Sequence, residues 1–174
     1  MESNKEQLKI IFLDVDGVLN CESTIDRIDG YTGIEDNKVK YLKDIADKTS
    51  AKIVLVSTWK EYWYKIPHKR SQDAMANYLD KKLSKQGLTI VDKTYEGYDL
   101  NKRGQGILDY LHLLNSFGLK VDSFVIIDDL LFDYRKTKLV KNLVKTNYRT
   151  GLKPKHVKKA IEILNNKKEE ENIC

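Results

Sequence analysis

The chain has 174 residues, of which 41% are hydrophobic and 33% charged, a balance that excludes a disordered chain and predicts one globular domain over residues 1–174. The net charge of +5 favours phosphate-bearing partners only weakly, because the charged residues are scattered along the chain. Cys21 and Cys174 lack CxxC spacing, so we expect neither a disulfide scaffold nor a zinc site of the common kind. The N-terminus lacks an apolar signal core, and no apolar run approaches the roughly 20 residues that cross a bilayer. We therefore expect a cytoplasmic protein with no membrane partner.

Four short apolar runs predict the strands of a sheet. They lie at residues 9–13, 52–56, 123–127 and 138–144. Their brevity and β-branched residues are typical of a parallel sheet that is covered on both faces. Between the first two runs, residues 21–36 form a loop that is large enough to overhang the sheet but too short for a full cap domain.

Helical patterns separate these strands. The first helix has Asp36 or Asn37 as its N-cap, the second ends at Gly118, and the third begins at Pro154. Their apolar positions follow helical spacing: Val39, Leu42, Ile45 and Ala46; Ile107, Leu108, Leu111 and Leu114; and Val157, Ile161 and Leu164. The alternation predicts a doubly wound, mostly parallel α/β sheet of Rossmann-like form, followed by a charged tail at 165–174.

A stretch rich in aromatic and basic residues, 58–70, follows the second predicted strand. Trp59, Tyr62, Trp63 and Ile66 recur at helical spacing, which favours a core stripe on a helix. The alternative is a surface on which aromatic rings stack nucleobases and basic side chains hold phosphates.

Polar residues gather where the predicted strands end. They are Asp14 and Asp16 after the first strand, Ser57 and Thr58 after the second, Asp128 and Asp129 after the third with Asp133 shortly beyond, and Lys102 and Arg103 ahead of the second helix. Ligands of such sheets bind at the carboxyl ends of the strands. Hard carboxylate oxygens suit Mg²⁺, which would offset the repulsion between the neighbouring aspartates. The sequence therefore predicts a magnesium site at this edge.

In this arrangement the chain resembles phosphohydrolases of the haloacid dehalogenase (HAD) superfamily. The DxDG stretch at Asp14 resembles the first motif of that superfamily, Ser57 the second, Lys102 or Arg103 the third, and the Asp128-Asp129 pair the fourth. More narrowly, "FLDVDGVLN", "IVLVSTWK", "IIDD" and the late "GLK" are similar to small HAD domains of RNA-repair proteins.

The resemblance implies a mechanism. Asp14 would attack phosphorus and form an aspartyl-phosphate, and Asp16 would protonate the leaving oxygen and later deprotonate the attacking water. Mg²⁺ would be held by the Asp14 carboxylate, the Asp16 backbone carbonyl and Asp129. Ser57 would bind a phosphoryl oxygen, and Lys102 or Arg103 would neutralise the developing charge.

Three assignments remain open between neighbouring residues. The R-G-x-x-I pattern favours Arg103 over Lys102, and the spacing to the following tryptophan favours Ser57 over Thr58 as the phosphate-binding hydroxyl. In the fourth motif the second residue of the pair usually meets the metal, which gives that role to Asp129 and a supporting role to Asp128.

The sequence predicts a phosphorylated substrate and gives no indication of the oligomeric state. The basic balance and the absence of a large cap favour a nucleotide or a nucleic-acid end, with further backbone phosphates held by basic side chains: Lys60, Lys65, Lys69 and Arg70. The alternatives are a phosphatase of small esters or phosphoproteins, and a non-catalytic or phosphoacceptor module of similar fold.

Overall fold

The computed structural model describes residues 8–95, 99 and 101–166. The strands are β1 (Leu8–Leu13), β2 (Arg27–Ile28), β3 (Tyr31–Thr32), β4 (Lys52–Leu55), β5 (Ile90–Lys93), β6 (Val121–Asp128) and β7 (Leu143–Lys145). Five of them form a parallel sheet in the order β5-β4-β1-β6-β7, and β2 and β3 form a separate antiparallel hairpin. Because β1 is central, the residues that follow it are flanked by the ends of β4 and β6.

Five α-helices and two 3₁₀ helices connect the strands in the described part of the chain. The α-helices are α1 (Asp36–Thr49), α2 (Pro67–Gln72), α3 (Ala74–Ser84), α4 (Arg103–Ser116) and α5 (Pro154–Asn165), and the 3₁₀ helices are Thr58–Glu61 and Val140–Asn142. None of these helices combines the length and the apolar character that a membrane crossing requires, within the residues that the structure describes.

Each face of the sheet is covered by its own apolar layer. Successive residues of a strand point to opposite faces, so Ile11 and Leu13 of β1 pack with α1, α3 and α5. Ile10 and Phe12 of the same strand pack with α4 and with Tyr134 from the loop after β6. This confirms the predicted doubly wound α/β fold, since β1 is buried on both sides.

The predicted strands at 9–13, 52–56 and 123–127 are confirmed to within two residues at each end. The fourth begins at Leu143 and not at 138, because Lys138 has a positive φ of 61° and a 3₁₀ helix occupies the intervening residues. The sequence pattern did not predict β5 or the β2–β3 hairpin. Between β1 and α1 the chain carries only this hairpin, with no cap-sized insertion.

Three predicted helices are confirmed as α1, α4 and α5. Pro154 is the first residue of α5, and Gly118, with a φ of 76°, follows the end of α4. The predicted N-cap of α1 is wrong: Glu35 precedes the helix, and Asp36 lies within its first turn, where its carboxylate pairs with Lys82.

The predicted helix over the aromatic stretch is wrong, although part of its core stripe is right. Trp59 and Trp63 are buried, but Ile66 is 51% exposed. The chain forms only the 3₁₀ helix Thr58–Glu61 before it turns, and Ile66 adopts an extended conformation ahead of Pro67. The ring of a proline disfavours the helical conformation of the residue before it, so a continuous helix cannot run through Ile66.

Candidate active site

The carboxyl ends of β4, β1 and β6 bring the polar residues predicted from the sequence to one edge. The ladder continues one residue past β1, because the Asp14 backbone N–H donates to the Ile127 carbonyl at 3.0 Å. On the other side, the Val56 N–H donates to the Leu13 carbonyl at 2.9 Å. Asp14 is therefore fixed between Ser57 and Asp128 by backbone hydrogen bonds.

Asp14 is a buried carboxylate with an unused acceptor. The residue is 3% exposed, and its Oδ1 has no hydrogen-bond partner. The nearest cation is Arg103, whose Nη1 lies 3.2 Å from Oδ1 without hydrogen-bond geometry. Burial, joined by the negative charge of Asp128, raises the pKa of Asp14 to about 7 against the opposing effects of Arg103 and the Ser57 hydroxyl.

Arg103 supplies the cation of the site, and Lys102 does not. Arg103 is 6% exposed, donates from Nη1 to Asp128 Oδ2 at 2.8 Å, and stacks its guanidinium 4.1 Å from the centre of the Phe132 ring. The Lys102 side chain is 61% exposed and lies near Asp99. Of the two candidates, Arg103 is the one that lies against the buried carboxylates.

The N-terminus of α4, which carries Arg103, is anchored by Asp133. One carboxylate oxygen accepts from the Gly104 N–H at 2.6 Å and the other from the Gln105 N–H at 3.0 Å. These bonds satisfy donors that a helix leaves unpaired in its first turn. Asp133 therefore holds in place the helix end that carries Arg103.

Asp128 and Asp129 differ in their surroundings. Asp128 is fully buried: its Oδ2 accepts from Arg103 and from the Tyr134 hydroxyl, both at 2.8 Å, and its Oδ1 accepts from the Leu130 N–H at 2.9 Å. Asp129 is only half-buried. Burial, followed by the charge of Asp128, raises the pKa of Asp129. Both oxygens of Asp128 are thus already occupied, as a supporting role requires.

The three carboxylates could hold a metal ion. Asp14, Asp128 and Asp129 each offer an oxygen, and these oxygens lie within 4.8 Å of one another. The Oδ1 of Asp14 has no hydrogen-bond partner, and burial, followed by the charge of Asp128, raises the pKa of both Asp14 and Asp129. An oxygen-only donor set of this kind fits a hard divalent cation.

Gly17 allows the loop after β1 to pass close to Asp129. Its φ is 68°, and a Cβ at this position would lie 2.5 Å from the Asp129 carboxyl carbon. The Gly17 carbonyl accepts from the Thr146 hydroxyl at 2.7 Å, a contact from the end of β7 that the sequence did not reveal. A side chain at Gly17 would therefore be disfavoured twice, by the positive φ and by the closeness of the Asp129 side chain.

Asp16 is exposed, unlike Asp14, but its carboxylate is held on both sides. Asn20 donates from Nδ2 to Oδ1 at 2.9 Å, and Trp59 donates from Nε1 to Oδ2 at 3.0 Å. Asn20 is itself fixed, because its Oδ1 accepts from the Gly17 N–H at 2.8 Å. The sequence analysis placed Trp59 in the core and missed this contact; the available signal was that a buried indole N–H needs an acceptor.

Ser57 and Thr58 differ in how deeply they are buried. Ser57 is fully buried beside Asp14, and its Oγ accepts from the Trp59 N–H at 3.4 Å, capping the 3₁₀ helix. Thr58 is partly exposed and begins that helix. The position next to the buried carboxylate belongs to Ser57.

Lys60 adds a second buried cation near this edge. It is 7% exposed, and its Nζ lies 3.5 Å from the Thr94 hydroxyl. Burial, followed by the positive charges of Arg103 and Lys93, lowers the pKa of Lys60 to about 8. The sequence suggested Lys60 as one of the side chains that hold backbone phosphates of the substrate, and a side chain this deeply buried is poorly placed for that contact.

The other basic residues of that stretch have partners on the protein. Lys65 pairs with Asp92 at 2.8 Å, and Arg70 pairs with Asp80 at 2.8 Å and stacks on the Trp63 ring. Lys69 lies over the Tyr64 ring. The stretch is therefore held against the protein surface by its cations.

A comparison with known families gives one match over most of the chain. The family described as "HAD domain in Swiss Army Knife RNA repair proteins" matches residues 10–157, a range that runs from β1 into α5. No curated protein matches the chain. The matched range contains every residue of the edge described above.

Proposed function

Because the chain belongs to the family of HAD domains in Swiss Army Knife RNA repair proteins, we propose that it is a magnesium-dependent phosphatase that acts through an aspartyl-phosphate on Asp14. The observation that carries the proposal is the buried Asp14 carboxylate, which has an unpartnered Oδ1 beside a buried hydroxyl and a buried guanidinium. A carboxylate nucleophile needs such a dry site with cations, because water would stabilise the charge that attacks phosphorus.

In the first step a carboxylate oxygen of Asp14 forms a bond to phosphorus as the bond from phosphorus to the leaving oxygen breaks. Asp16 gives its proton to that oxygen. In the second step water attacks the aspartyl-phosphate, Asp16 accepts a proton from the water, and the bond between phosphorus and the Asp14 oxygen breaks. Inorganic phosphate leaves, and both carboxyl groups return to their starting state.

The buried half of the site binds the phosphoryl group. The Ser57 hydroxyl donates to a phosphoryl oxygen, and Arg103 offsets the charge that develops during transfer. Asp128 and Asp133 act through Arg103, one by pairing with its guanidinium and the other by anchoring the helix that carries it. Lys60 contributes positive charge from the adjacent 3₁₀ helix.

Mg²⁺ fits the donor set, with Asp14, Asp129 and the Asp16 backbone carbonyl as its protein ligands. When bound, it supplies positive charge that lets an anionic carboxylate approach an anionic phosphate. Asp128 is the weaker candidate ligand, because its two oxygens already accept three hydrogen bonds.

The substrate proposed is a terminal phosphate on a nucleotide or a nucleic-acid strand. The absence of a cap-sized insertion between β1 and α1 supports this choice, since a closing lid would clash with the rest of a polymer. Lys60, Lys65 and Arg70 are weaker candidates for holding its backbone, because Lys60 is buried and the other two pair with aspartates. Exposed cations at and beyond the end of β7 are proposed in their place: Lys145 and Arg149.

The test is a panel of phosphate esters assayed with Mg²⁺ and with a chelator. The panel contains a 3′-phosphorylated oligonucleotide, a 5′-phosphorylated one, a mononucleotide, a sugar phosphate and a phosphopeptide, each at low and high salt. We expect turnover only with metal, and an oligonucleotide preferred at low salt, because strand binding releases counterions. A sugar phosphate or phosphopeptide preferred at both salts would overturn the substrate class, and no metal-dependent turnover of any ester would overturn the phosphatase.

A further inference from the structure

The indole of Trp59 links the phosphate-binding turn to the exposed Asp16. Trp59 lies two residues after Ser57, on the 3₁₀ helix that Ser57 caps. Its side chain is 3% exposed, with the ring 6.3 Å from that of Tyr78, so its orientation is set by packing. From this fixed position Nε1 donates to Asp16 Oδ2 at 3.0 Å.

We propose that Trp59 is a positioning residue for the acid–base Asp16, an inference that rests on the proposed phosphatase function. An exposed aspartate is otherwise free to rotate about its side-chain bonds. Trp59 and Asn20 each hold a different oxygen of the carboxylate, and both donors are buried. Two rigid donors on two oxygens define the plane of the carboxylate.

This arrangement leaves the carboxylate able to act. A carboxylate has about four acceptor positions, of which Trp59 and Asn20 occupy two. One of the remaining positions carries the proton that passes to the leaving oxygen and, later, the proton taken from water. Proton transfer requires the heavy atoms to approach within hydrogen-bond reach, so a rotated Asp16 would be a poor acid even with an intact nucleophile.

The substitution Trp59→Phe tests the role, since it keeps a buried aromatic ring and removes the N–H. We expect kcat/KM for an alkyl phosphate, whose leaving oxygen needs a proton, to fall by roughly tenfold or more. For dinitrophenyl phosphate, whose leaving group departs without a proton, we expect a change of less than about twofold. A merely structural role would slow both esters together.

The matched control is Trp63→Phe. Trp63 is 1% exposed and donates from Nε1 to Asp80 at 3.1 Å, so the control loses the same kind of buried hydrogen bond away from Asp16. We expect it to leave the ratio of the two esters unchanged. If Trp59→Phe does not fold, benzothienylalanine at position 59 replaces the N–H with sulfur and preserves the shape of the ring.

A double-mutant cycle with Asp16→Asn completes the test. If Trp59 acts through Asp16, adding Trp59→Phe to Asp16→Asn causes no further loss for the alkyl phosphate. A full additional loss, or a Trp59→Phe profile that equals the Trp63→Phe profile, would overturn the inference and leave the phosphatase intact. No metal-dependent turnover by the unchanged chain would overturn the proposed function and this inference together.

Discussion

Asp14 and Asp16 lie one residue apart, yet the fold gives them opposite surroundings. Asp14 is 3% exposed and sits among ionic groups, with Arg103 on one side and Asp128 nearby. Asp16 is exposed and is held by two neutral donors, the amide of Asn20 and the indole of Trp59. The site therefore has a buried half, in which charged side chains contact one another, and an open half, in which neutral donors orient the carboxylate of Asp16.

The difference separates two kinds of contribution. In the buried half each charge depends on the others, because an ionised group removed from water must be paired. Substitutions there should change the chemistry and the stability together. In the open half water solvates the carboxylate, so substitutions should change the chemistry strongly and the free energy of unfolding much less than in the buried half.

The largest effect is expected for Asp14→Asn. The amide preserves the shape but is a poor nucleophile, so kcat should fall by at least about a thousandfold, as when other enzymes lose a nucleophile. Steady-state kinetics on the best ester of the panel would measure it. Asp44→Asn, on the exposed surface of α1, is the control and should keep full activity. A variant that retained a tenth of the activity would remove Asp14 from the nucleophile role.

Arg103→Met should destabilise the fold most. It leaves Asp14 and Asp128 buried without their cation, and breaking a buried ion pair costs about 3–5 kcal/mol. Denaturant unfolding of this variant and of Lys102→Met, its exposed neighbour, would measure the difference. Equal losses in the two variants would show that the buried half is not built on charge.

Asp16→Asn should slow turnover of an alkyl phosphate by about a hundredfold, the scale of general acid–base catalysis. The amide keeps one acceptor oxygen, so one of the two buried donors loses its partner, and we expect the melting temperature to fall by a few degrees, less than in Arg103→Met. Thermal unfolding and steady-state kinetics on the same sample would measure the melting temperature and the rate of turnover. A large fall in melting temperature would erase the distinction between the two halves of the site.

Adding Mg²⁺ to metal-free protein should raise the melting temperature, since a ligand of the folded state adds about 2.7 kcal/mol at a hundred times its dissociation constant. Asp129→Asn should abolish most of that increase, and Asp44→Asn should retain it. In metal-free buffer Asp129→Asn should be at least as stable as the unchanged chain, because one of three crowded carboxylates has lost its charge. An unchanged response to Mg²⁺ would move the ligand role to Asp128.

A further effect concerns pH in the absence of metal. The pKa of Asp14 rises from 3.8 to about 7 on folding, so the folded chain binds this proton more tightly than the unfolded chain. The contribution of Asp14 to stability should therefore increase as the pH falls from above 7 toward 3.8. Unfolding of Asp14→Asn should show a shallower dependence over this window, and identical slopes would contradict the buried placement of the charge.

The sequence predicted those parts of the fold that depend on apolar runs. β1, β4 and β6 are buried and rich in branched residues, so their sequence pattern was enough to predict them as strands. β5, with the sequence IVDK, lies at the sheet edge and mixes apolar with charged residues. Its place depends on pairing with β4, a long-range contact that no local pattern contains.

The candidate site was predicted as a set of residues but not as a network. The order of the aspartates, Ser57 and Arg103 along the chain indicated the edge. The contacts of Tyr134 and Thr146 did not follow, because Tyr134 reaches back to Asp128 from an irregular loop and Thr146 reaches Gly17 from a strand end distant in sequence. Trp59 was misassigned to the core alone, since apolar spacing describes its ring and not its N–H.

The most direct test of the account is to trap the covalent intermediate. The chain, or Asp16→Asn, in which hydrolysis of the intermediate should be slow, is mixed with the ester and Mg²⁺, quenched in acid and reduced with tritiated borohydride. The reduction converts an aspartyl-phosphate to tritium-labelled homoserine and releases the phosphate. The account predicts homoserine at position 14, and no label in Asp14→Asn. Turnover without a labelled protein, or label on Asp128 or Asp129, would contradict it.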